Sequence, residues 1–442
     1  MLVHGTLIHA PVFGTLEIVE NALITVDEGG SINSVESVVN DARLETARDA
    51  GTLIELGSQQ YLLPGLVDLH VHAPQWPQLG KALDLPLTEW LQRCTFPLEA
   101  KYRDLVFARQ SYESLVTNLL ANGTTTAAYF GSIHVEATKL LADIAYSKGQ
   151  RAVIGKVAMD NADQCPDFYR DQTTSAGLDG TRELIEYIGG TGGDLLHPAV
   201  TPRFIPACTD GMLAGLAAIA DEYGCHVQTH CSESDWEHRY VIDRHGIPDT
   251  QSLDRFGLLT DKTILAHSVF VDDDDITTIA GQGSGIAHCP LSNLYLSHAV
   301  FPARKVLDRG VKAGLGTDIA GGASPSILHN CQMAVSASRA FEDGVDATLA
   351  ATERGTPGSR IDFREAFWMA TSGGADALGL KVGRFAEGYA FDAIVIDTGI
   401  DDSELCTWDD LDTLDDVLQK IVYNAGRQNI TDVWVQGRRV SG

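Results

Sequence analysis

The chain has 442 residues and a formal net charge of -28, with 32 Lys and Arg against 60 Asp and Glu. This excess of acid argues against binding to nucleic acid, because a surface that follows phosphates needs Lys and Arg in excess. No uninterrupted apolar run approaches the length of a membrane span. The N-terminus lacks the basic start and apolar core of a signal peptide, and the eight cysteines contain no C-x-x-C pair. We therefore expect a reducing cytoplasm.

The two ends of the chain have short apolar segments separated by turns. Near the N-terminus these include Thr6–Ile8 and Ala22–Val26, and the pattern returns in Phe391–Ile396 and Asp432–Gly437. Neither end has enough apolar residues for a core of its own. We therefore predict that residues 1–60 and 380–442 pair as one discontinuous β-sandwich domain beside the central part of the chain.

Between these ends, short apolar segments rich in β-branched residues alternate with stretches of helical periodicity. The eight segments are Leu62–His72, Thr124–Phe130, Ala152–Asp160, Pro198–Phe204, His226–His230, Thr263–His267, Gly285–Pro290 and Val311–Asp318. The clearest helical stretches are Leu105–Leu120, Met212–Tyr223 and Ile327–Phe341. Repeated alternation of strand and helix is typical of a (β/α)8 barrel. The predicted fold class is therefore α/β, with a TIM-like barrel over residues 61–379 and a small β-sandwich built from both chain ends.

Two histidines one residue apart, His70 and His72, end the first of these segments. In a strand, residues two apart point to the same side, so both imidazoles face one spot. Active sites of such barrels gather at the carboxyl ends of the strands, where His230, His267 and Asp318 end the fifth, sixth and eighth segments. A set of satisfied core histidines is the alternative, but packing does not explain polar residues at these positions. We predict a metal site, and mixed nitrogen and oxygen ligands favour zinc.

Several motifs carry a family resemblance. Pro64–His72, Thr229–Glu233, Leu265–Ser268 and Leu315–Gly322 resemble the amidohydrolase superfamily in its nucleobase-deaminase branch. Within that branch, a second set resembles the guanine deaminases: Gln75, Leu83–Leu91, Thr95–Glu99, Gly155–Asp160, Val200–Phe204 and Ala287–Asn293. The similarity runs from about Leu62 to Gly379, which is nearly the whole predicted barrel.

The resemblance implies one zinc ion per subunit, with iron as the alternative metal. The implied ligands are His70, His72, His230 and Asp318. Related two-metal enzymes carry a carboxylated lysine at the end of strand four, where this chain has Arg203, so the resemblance implies a single metal. Lys156 is an alternative bridge, but a buried lysine paired with a neighbouring acid is the favoured interpretation.

The resemblance also assigns catalytic roles in the hydrolysis of guanine to xanthine and ammonia. Glu233 would protonate the ring nitrogen N3 as hydroxide attacks C2. Asp318 would take the proton of the hydroxide and pass it to the departing amine, while His267 would steady the tetrahedral intermediate.

The resemblance assigns substrate contacts as well. The predicted substrate-binding residues are Gln75, Trp76, Arg203, Phe204, His230, Glu233 and Asp318. The resemblance assigns Arg203 to the purine carbonyl and Gln75 to the ring edge. From the residue types alone, we expect Phe204 to form an apolar wall and Trp76 to stack on the ring. We expect His288, at the end of strand seven, to line the pocket without binding metal.

Two alternatives stay open. The chain departs from the family's usual appearance at Trp76-Pro77 and in the Cys208–Gly211 loop, which leaves room for a related 2-amino-4-oxo heterocycle such as 8-oxoguanine or a pterin. An inactive scaffold protein is the alternative from another class, although such a protein would be expected to have lost a ligand or the proton shuttle. The implied partner is a small-molecule purine, with no nucleic acid and no membrane, and a homodimer is the expected assembly.

Overall fold

The computed structural model describes residues 1–37, 41–191 and 193–442. Its strands are β1 (Leu2–Val12), β2 (Thr15–Val26), β3 (Ile32–Glu36), β4 (Leu53–Glu55), β5 (Gln60–Pro64), β6 (Leu66–His72), β7 (Thr124–Phe130), β8 (Arg151–Gly155), β9 (Val157–Ala158), β10 (Leu196–Pro202), β11 (His226–Cys231), β12 (Thr263–His267), β13 (Gly285–His288), β14 (Lys312–Leu315), β15 (Ala393–Asp397), β16 (Ile430–Val435) and β17 (Arg438–Ser441).

Helices connect most of these strands. They are α1 (Asp41–Asp49), α2 (Leu87–Trp90), α3 (Phe96–Glu99), α4 (Leu105–Ala121), α5 (Val135–Lys148), α6 (Thr174–Thr191), α7 (Asp210–Tyr223), α8 (Asp235–His245), α9 (Asp249–Phe256), α10 (Asp273–Gln282), α11 (Pro290–Ser292), α12 (Ala303–Asp308), α13 (Ile327–Asp343), α14 (Phe363–Trp368), α15 (Gly374–Leu378) and α16 (Leu414–Asn424). Short 3-10 helices cover Ala73–Gln78, Ala100–Arg103, Ile205–Ala207 and Arg427–Asn429, and π-helical turns cover Leu91–Thr95, Asn293–Ser297 and Met369–Gly373.

One mixed sheet, which we call the end sheet, is built from both ends of the chain. Its strand order is β17-β16-β15-β5-β1-β2-β3, and β4 pairs with β1. The two ends meet where β5 pairs antiparallel with β15, with Leu63 opposite Ile394. One face of the end sheet buries Leu7, Phe391 and Trp434 in a shared apolar cluster. The prediction that the ends pair as one β unit beside the barrel is confirmed.

The other sheet is a parallel barrel. Its strands follow the chain in the order β6-β7-β8-β10-β11-β12-β13-β14, and β9 pairs with β10. Two hydrogen bonds join its first strand to the segment after its last strand. The N–H of Asp318 donates to the carbonyl of His70 at 2.8 Å, and the N–H of His72 donates to the carbonyl of Ile319 at 3.0 Å. The predicted barrel is confirmed, and it closes at predicted metal ligands.

The segment Leu62–His72, predicted as one strand, is two strands in different sheets. β5 pairs with β15 in the end sheet, and β6 pairs with β7 in the barrel. Gly65 joins them, and a Cβ at this position would lie 2.2 Å from Oγ1 of Thr125. Only glycine allows so close an approach where the chain passes between the sheets. The segment Ala152–Asp160 is likewise interrupted, at Lys156, between β8 and β9.

The three clearest predicted helices are confirmed as α4, α7 and α13. Helix α7 begins before the predicted Met212, because the hydroxyl of Thr209 caps it by accepting the N–H of Met212 at 3.2 Å. It ends at Gly224, whose φ of 57° is in the left-handed region. Within the three described ranges, no helix is long and apolar enough to cross a membrane.

Candidate active site

A cluster of imidazole and carboxylate groups lies at the carboxyl ends of the barrel strands. His70 and His72 end β6, His230 lies in β11, and Asp318 follows β14. Nε2 of His72 lies 2.9 Å from Nε2 of His230. Oδ1 of Asp318 lies 3.2 Å from Nε2 of His70 and 3.6 Å from Nε2 of His72. The structure therefore brings together all four side chains predicted as metal ligands.

The chemistry of this cluster fits a divalent cation. Burial lowers the pKa of His70, His72 and His230 well below the ordinary value, which keeps the imidazoles neutral as metal ligation requires. Both ring nitrogens of His70 are buried without a hydrogen-bond partner among the described residues. Ligand atoms of His70, His72 and Asp318 all lie within 4.8 Å of one another. Such a concentration of buried lone pairs suits a shared cation.

Hydrogen bonds outside the cluster fix the orientation of the ligands. The carbonyl of Arg203 lies 2.6 Å from Nδ1 of His230, which leaves Nε2 facing the cluster. The buried carboxylate of Asp68 accepts from the hydroxyl and the N–H of Thr317, at 2.6 and 2.9 Å, and from the N–H of His70 at 3.2 Å. Burial raises the pKa of Asp68 to about 7. Asp68 therefore ties the residue before Asp318 to the strand that carries the paired histidines.

Two further predicted catalytic residues lie beside the ligands. Oε1 of Glu233 is 3.7 Å from Nε2 of His267, and Oδ2 of Asp318 is 3.9 Å from the same nitrogen. Nδ1 of His267 is 2.8 Å from Oδ1 of Asn293, which fixes the ring. Burial, and then the carboxylate of Asp318, raise the pKa of Glu233 well above its ordinary value. A carboxyl group in this environment favours its protonated form and can donate a proton.

A pocket opens onto the cluster. It is lined by His72, Gln75, Leu87, Trp90, Leu91, Arg203, Phe204, His230, Glu233, Leu296 and Asp318. Trp76 is not among these residues: its indole N–H donates to the hydroxyl of Ser114 at 3.0 Å. His288 is also outside the lining, and its ring packs against Phe301. Trp90 is the tryptophan that contributes its surface to the pocket.

A buried hydrogen-bond network holds the polar edge of the pocket. The carboxylate of Glu99 accepts from both terminal nitrogens of Arg203, at 2.7 and 3.1 Å, and from Nε2 of Gln75 at 2.9 Å. Oε1 of Gln75 accepts the N–H of Ala320 at 3.1 Å. The guanidinium of Arg203 also lies over the ring of Phe96, 5.1 Å from its centroid. Arg203 and Gln75 are therefore rigidly held by a third side chain, Glu99.

Comparisons with known proteins agree with this geometry. A model of the amidohydrolase family matches residues 61–440. The chain belongs to the amidohydrolase family. The guanine deaminase of Dictyostelium discoideum is 38% identical over 456 residues, which cover 99% of this chain and 98% of that protein. The guanine deaminase of Homo sapiens is 35% identical over 445 residues, which cover 99% and 95%.

A solved structure is similar over the full length of this amidohydrolase. The crystal structure of guanine deaminase from C. acetobutylicum, with bound guanine in the active site, has a TM-score of 0.88 and 31% sequence identity. The similarity covers 99% of both chains. The resemblance inferred from the sequence motifs is thereby confirmed.

Lys156 of this amidohydrolase is held by an acid. Its Nζ donates to Oδ1 of Asp171 at 2.7 Å and to the carbonyl of Val157 at 3.1 Å. Asp171 in turn accepts the N–H of Met159 through Oδ2 at 3.0 Å. The prediction of a buried lysine paired with an acid is confirmed, and Lys156 fixes the loop that precedes α6.

Sequence reasoning missed Glu99 and Trp90. Both lie in motifs that carry the family resemblance, Thr95–Glu99 and Leu83–Leu91, but neither is near a predicted strand end. The sequence feature that could have indicated Glu99 is an acidic residue among apolar ones, two residues after Pro97. Its partner Arg203 is 104 residues further along the chain, so no local pattern joins the two.

Proposed function

We propose that this amidohydrolase catalyses the hydrolytic deamination of guanine, giving xanthine and ammonia. One observation carries the proposal: a single pocket is lined both by Arg203 and Gln75 and by His230, Glu233 and Asp318. The first two offer hydrogen bonds to the edge of a neutral ring, and the others offer metal binding and proton transfer. The relatives named as guanine deaminases support the same reaction.

The proposed resident metal is zinc, and iron suits the same donors. The proposed ligands are His70, His72, His230 and Asp318. When bound, such an ion lowers the pKa of water towards neutrality and so supplies the nucleophile.

The proposed proton transfers use Glu233, Asp318 and His267. As the water oxygen bonds to C2 of guanine, Asp318 accepts one proton of the water and Glu233 gives a proton to N3. Asp318 then gives its proton to the amine, the C2–N bond breaks, and ammonia leaves. The remaining hydroxyl proton returns to Glu233 as the C2 carbonyl forms. His267, fixed by Asn293, stabilises the oxygen on the tetrahedral carbon by a hydrogen bond.

The proposed substrate contacts follow the lining of the pocket. Arg203 would donate to the purine carbonyl, and Gln75 would bind the ring edge. Phe204 forms an apolar wall, and Trp90 takes the stacking role that the sequence assigned to Trp76. The ring would thus lie between apolar surfaces with its polar edge towards the buried network.

We also propose a homodimeric assembly, a place in purine catabolism and a cytoplasmic location. Two-fold pairing is the commonest assembly of soluble enzymes, which supports the first point. The domain boundaries that we propose are 1–64 with 380–442 for the end-sheet domain and 65–379 for the barrel, because β5 pairs in the end sheet and the chain passes to the barrel at Gly65. Size-exclusion chromatography with light scattering tests the dimer directly.

Ammonia release tests the proposed function. The purified protein is assayed for bound metal and then supplied with guanine, 8-oxoguanine, pterin, adenine and cytosine. We expect guanine to be the best substrate and about one equivalent of zinc or iron per chain. Faster release from pterin or 8-oxoguanine would overturn the guanine assignment and leave the deaminase assignment intact. A protein with neither metal nor ammonia release would support the inactive scaffold.

A further inference from the structure

Glu99 holds an unusual position relative to the pocket. It ends α3 and its side chain is fully buried, yet it does not line the cavity. It contacts the two residues proposed to bind the purine edge, Arg203 and Gln75. It therefore acts on the pocket only through the groups that face it.

The bonds to Glu99 determine which way the Gln75 amide points. A carboxylate only accepts hydrogen bonds, so the nitrogen of Gln75 must face Glu99. A backbone N–H only donates, so the oxygen of Gln75 must face Ala320. Reversing the amide would set donor against donor at Ala320 and acceptor against acceptor at Glu99. The arrangement of donor and acceptor that Gln75 offers to a ring edge is thereby fixed.

Glu99 fixes Arg203 in the same way. Both terminal nitrogens of the guanidinium donate to it, and the charge of the guanidinium is balanced by a carboxylate with 0% exposure. The Phe96 ring lies against the guanidinium. An arginine held in this way offers its remaining N–H groups in one direction and carries no uncompensated charge into the pocket. Such an edge suits a neutral ring with a carbonyl group.

We infer that Glu99 is a positioning residue that sets substrate selection, so that a carbonyl-bearing purine edge is preferred over an edge that lacks the carbonyl. The inference rests on the proposed guanine deamination, because it concerns how that ring is chosen. Glu99 does not line the pocket, and its hydrogen bonds go to Gln75 and Arg203, neither of which is a proposed metal ligand. Its effect should therefore appear in the comparison between substrates and leave the bound metal unchanged.

The test compares Glu99→Gln with the parent enzyme on two ligands. The introduced amide places an NH2 group against the donors of Arg203 and Gln75, so one of them loses its partner. We expect kcat/KM for guanine to fall by about 10- to 100-fold. The inhibition constant of 2-aminopurine, which lacks the carbonyl, should change by less than about threefold. Metal content should equal that of the parent.

Glu89→Gln is the matched control. Glu89 lies in α2, in the same connection between β6 and α4 as Glu99, is half-buried, and pairs with Arg93. Its substitution removes the same charge from the segment without touching the network. We expect parental kcat/KM for guanine and a parental inhibition constant for 2-aminopurine in this variant.

Two results would overturn the inference. One is an equal loss for guanine and 2-aminopurine in Glu99→Gln, which would indicate a general structural role. The other is a parental kcat/KM for guanine in Glu99→Gln, which would show that Glu99 does not affect how the ring is bound. If Glu99→Gln does not fold, Glu99→Asp provides the test. Aspartate keeps the charge but is one methylene too short to reach both Arg203 and Gln75. Unchanged selectivity in that variant would also overturn the inference. Failure of the proposed function is distinguishable, since the parent would then release no ammonia from guanine.

Discussion

Replacing Arg203 by methionine should separate what this residue contributes to folding from what it contributes to recognition. Arg203 and Glu99 form a buried ion pair, with side-chain exposures of 3% and 0%. Arg203→Met leaves Glu99 as a buried charge without a counter-charge. Removing one partner of such a pair costs about 3–5 kcal/mol of the free energy of unfolding.

The expected change in melting temperature follows from the size of the chain. Unfolding 442 residues at about 2.1 cal/mol/K per residue carries an entropy of about 0.9 kcal/mol/K. A loss of about 3–5 kcal/mol should therefore lower Tm by about 3–5 °C. Arg203→Met should also weaken recognition of guanine, and this effect is separate from the loss of stability. A purine carbonyl left without its charged donor costs about 1.5–3 kcal/mol, which lowers kcat/KM for guanine roughly 10- to 150-fold.

A double variant separates the two effects. Arg203→Met with Glu99→Leu removes both charges, so stability should return towards that of the parent. The loss in kcat/KM for guanine should persist, because the donor to the carbonyl is still absent. Thermal unfolding, metal analysis and steady-state ammonia release measure the three quantities. Recovery of guanine turnover in the double variant, or parental turnover in Arg203→Met alone, would refute the role of Arg203 in recognition.

Three further outcomes are expected. His230→Ala and Asp318→Ala should each lower both bound metal and activity, because one ligand of four is lost; full metal content with unimpaired turnover would show that the ligands are misassigned. Glu233→Gln should lower kcat by roughly 10²- to 10⁴-fold with metal retained, since an amide cannot transfer the proton; a loss below about tenfold would remove Glu233 from the mechanism. Asp392→Asn should lower the free energy of unfolding in urea by about 3–5 kcal/mol, because it strands the buried guanidinium of Arg151; a change below about 1 kcal/mol would contradict this reasoning.

The barrel and the clustered side chains that we propose as metal ligands were predictable because their signals are local. Strand and helix periods repeat along the chain, and His70 and His72 are two residues apart, so the pleat alone directs both rings to one face. The passage between the two sheets was not predictable. The apolar run from Leu62 to His72 is continuous, and only the close approach of Thr125 to Gly65 shows where one strand ends and the next begins.

The polar edge of the pocket shows a different limit. Arg203 was predicted, but its partner Glu99 lies far away in the chain and on a short helix within a long connection. Trp76 and Trp90 lie in the same connection, and periodicity does not indicate which of them faces the cavity. Side-chain direction within the connection depends on tertiary packing, such as the bond from Trp76 to Ser114 of α4. Local patterns therefore predicted the cluster of imidazole and carboxylate groups more completely than the lining of the pocket.

The two parts of the pocket are held by different kinds of structure, and this difference bears on how the substrate range can change. The proposed ligands His70 and Asp318 share a hydrogen bond that closes the barrel, and Asp68 of β6 bonds to Thr317, the residue before Asp318. Moving either ligand would disturb closure itself. Gln75 and Glu99 belong instead to the connection after β6, from which Gln75 bonds to Ala320 after β14 and Glu99 to Arg203 after β10. Substitutions in that connection can alter which ring edge is bound while the metal ligands stay in place. Amidohydrolases that share this barrel but act on another substrate should therefore differ from this chain mainly in the segment that corresponds to residues 73–99.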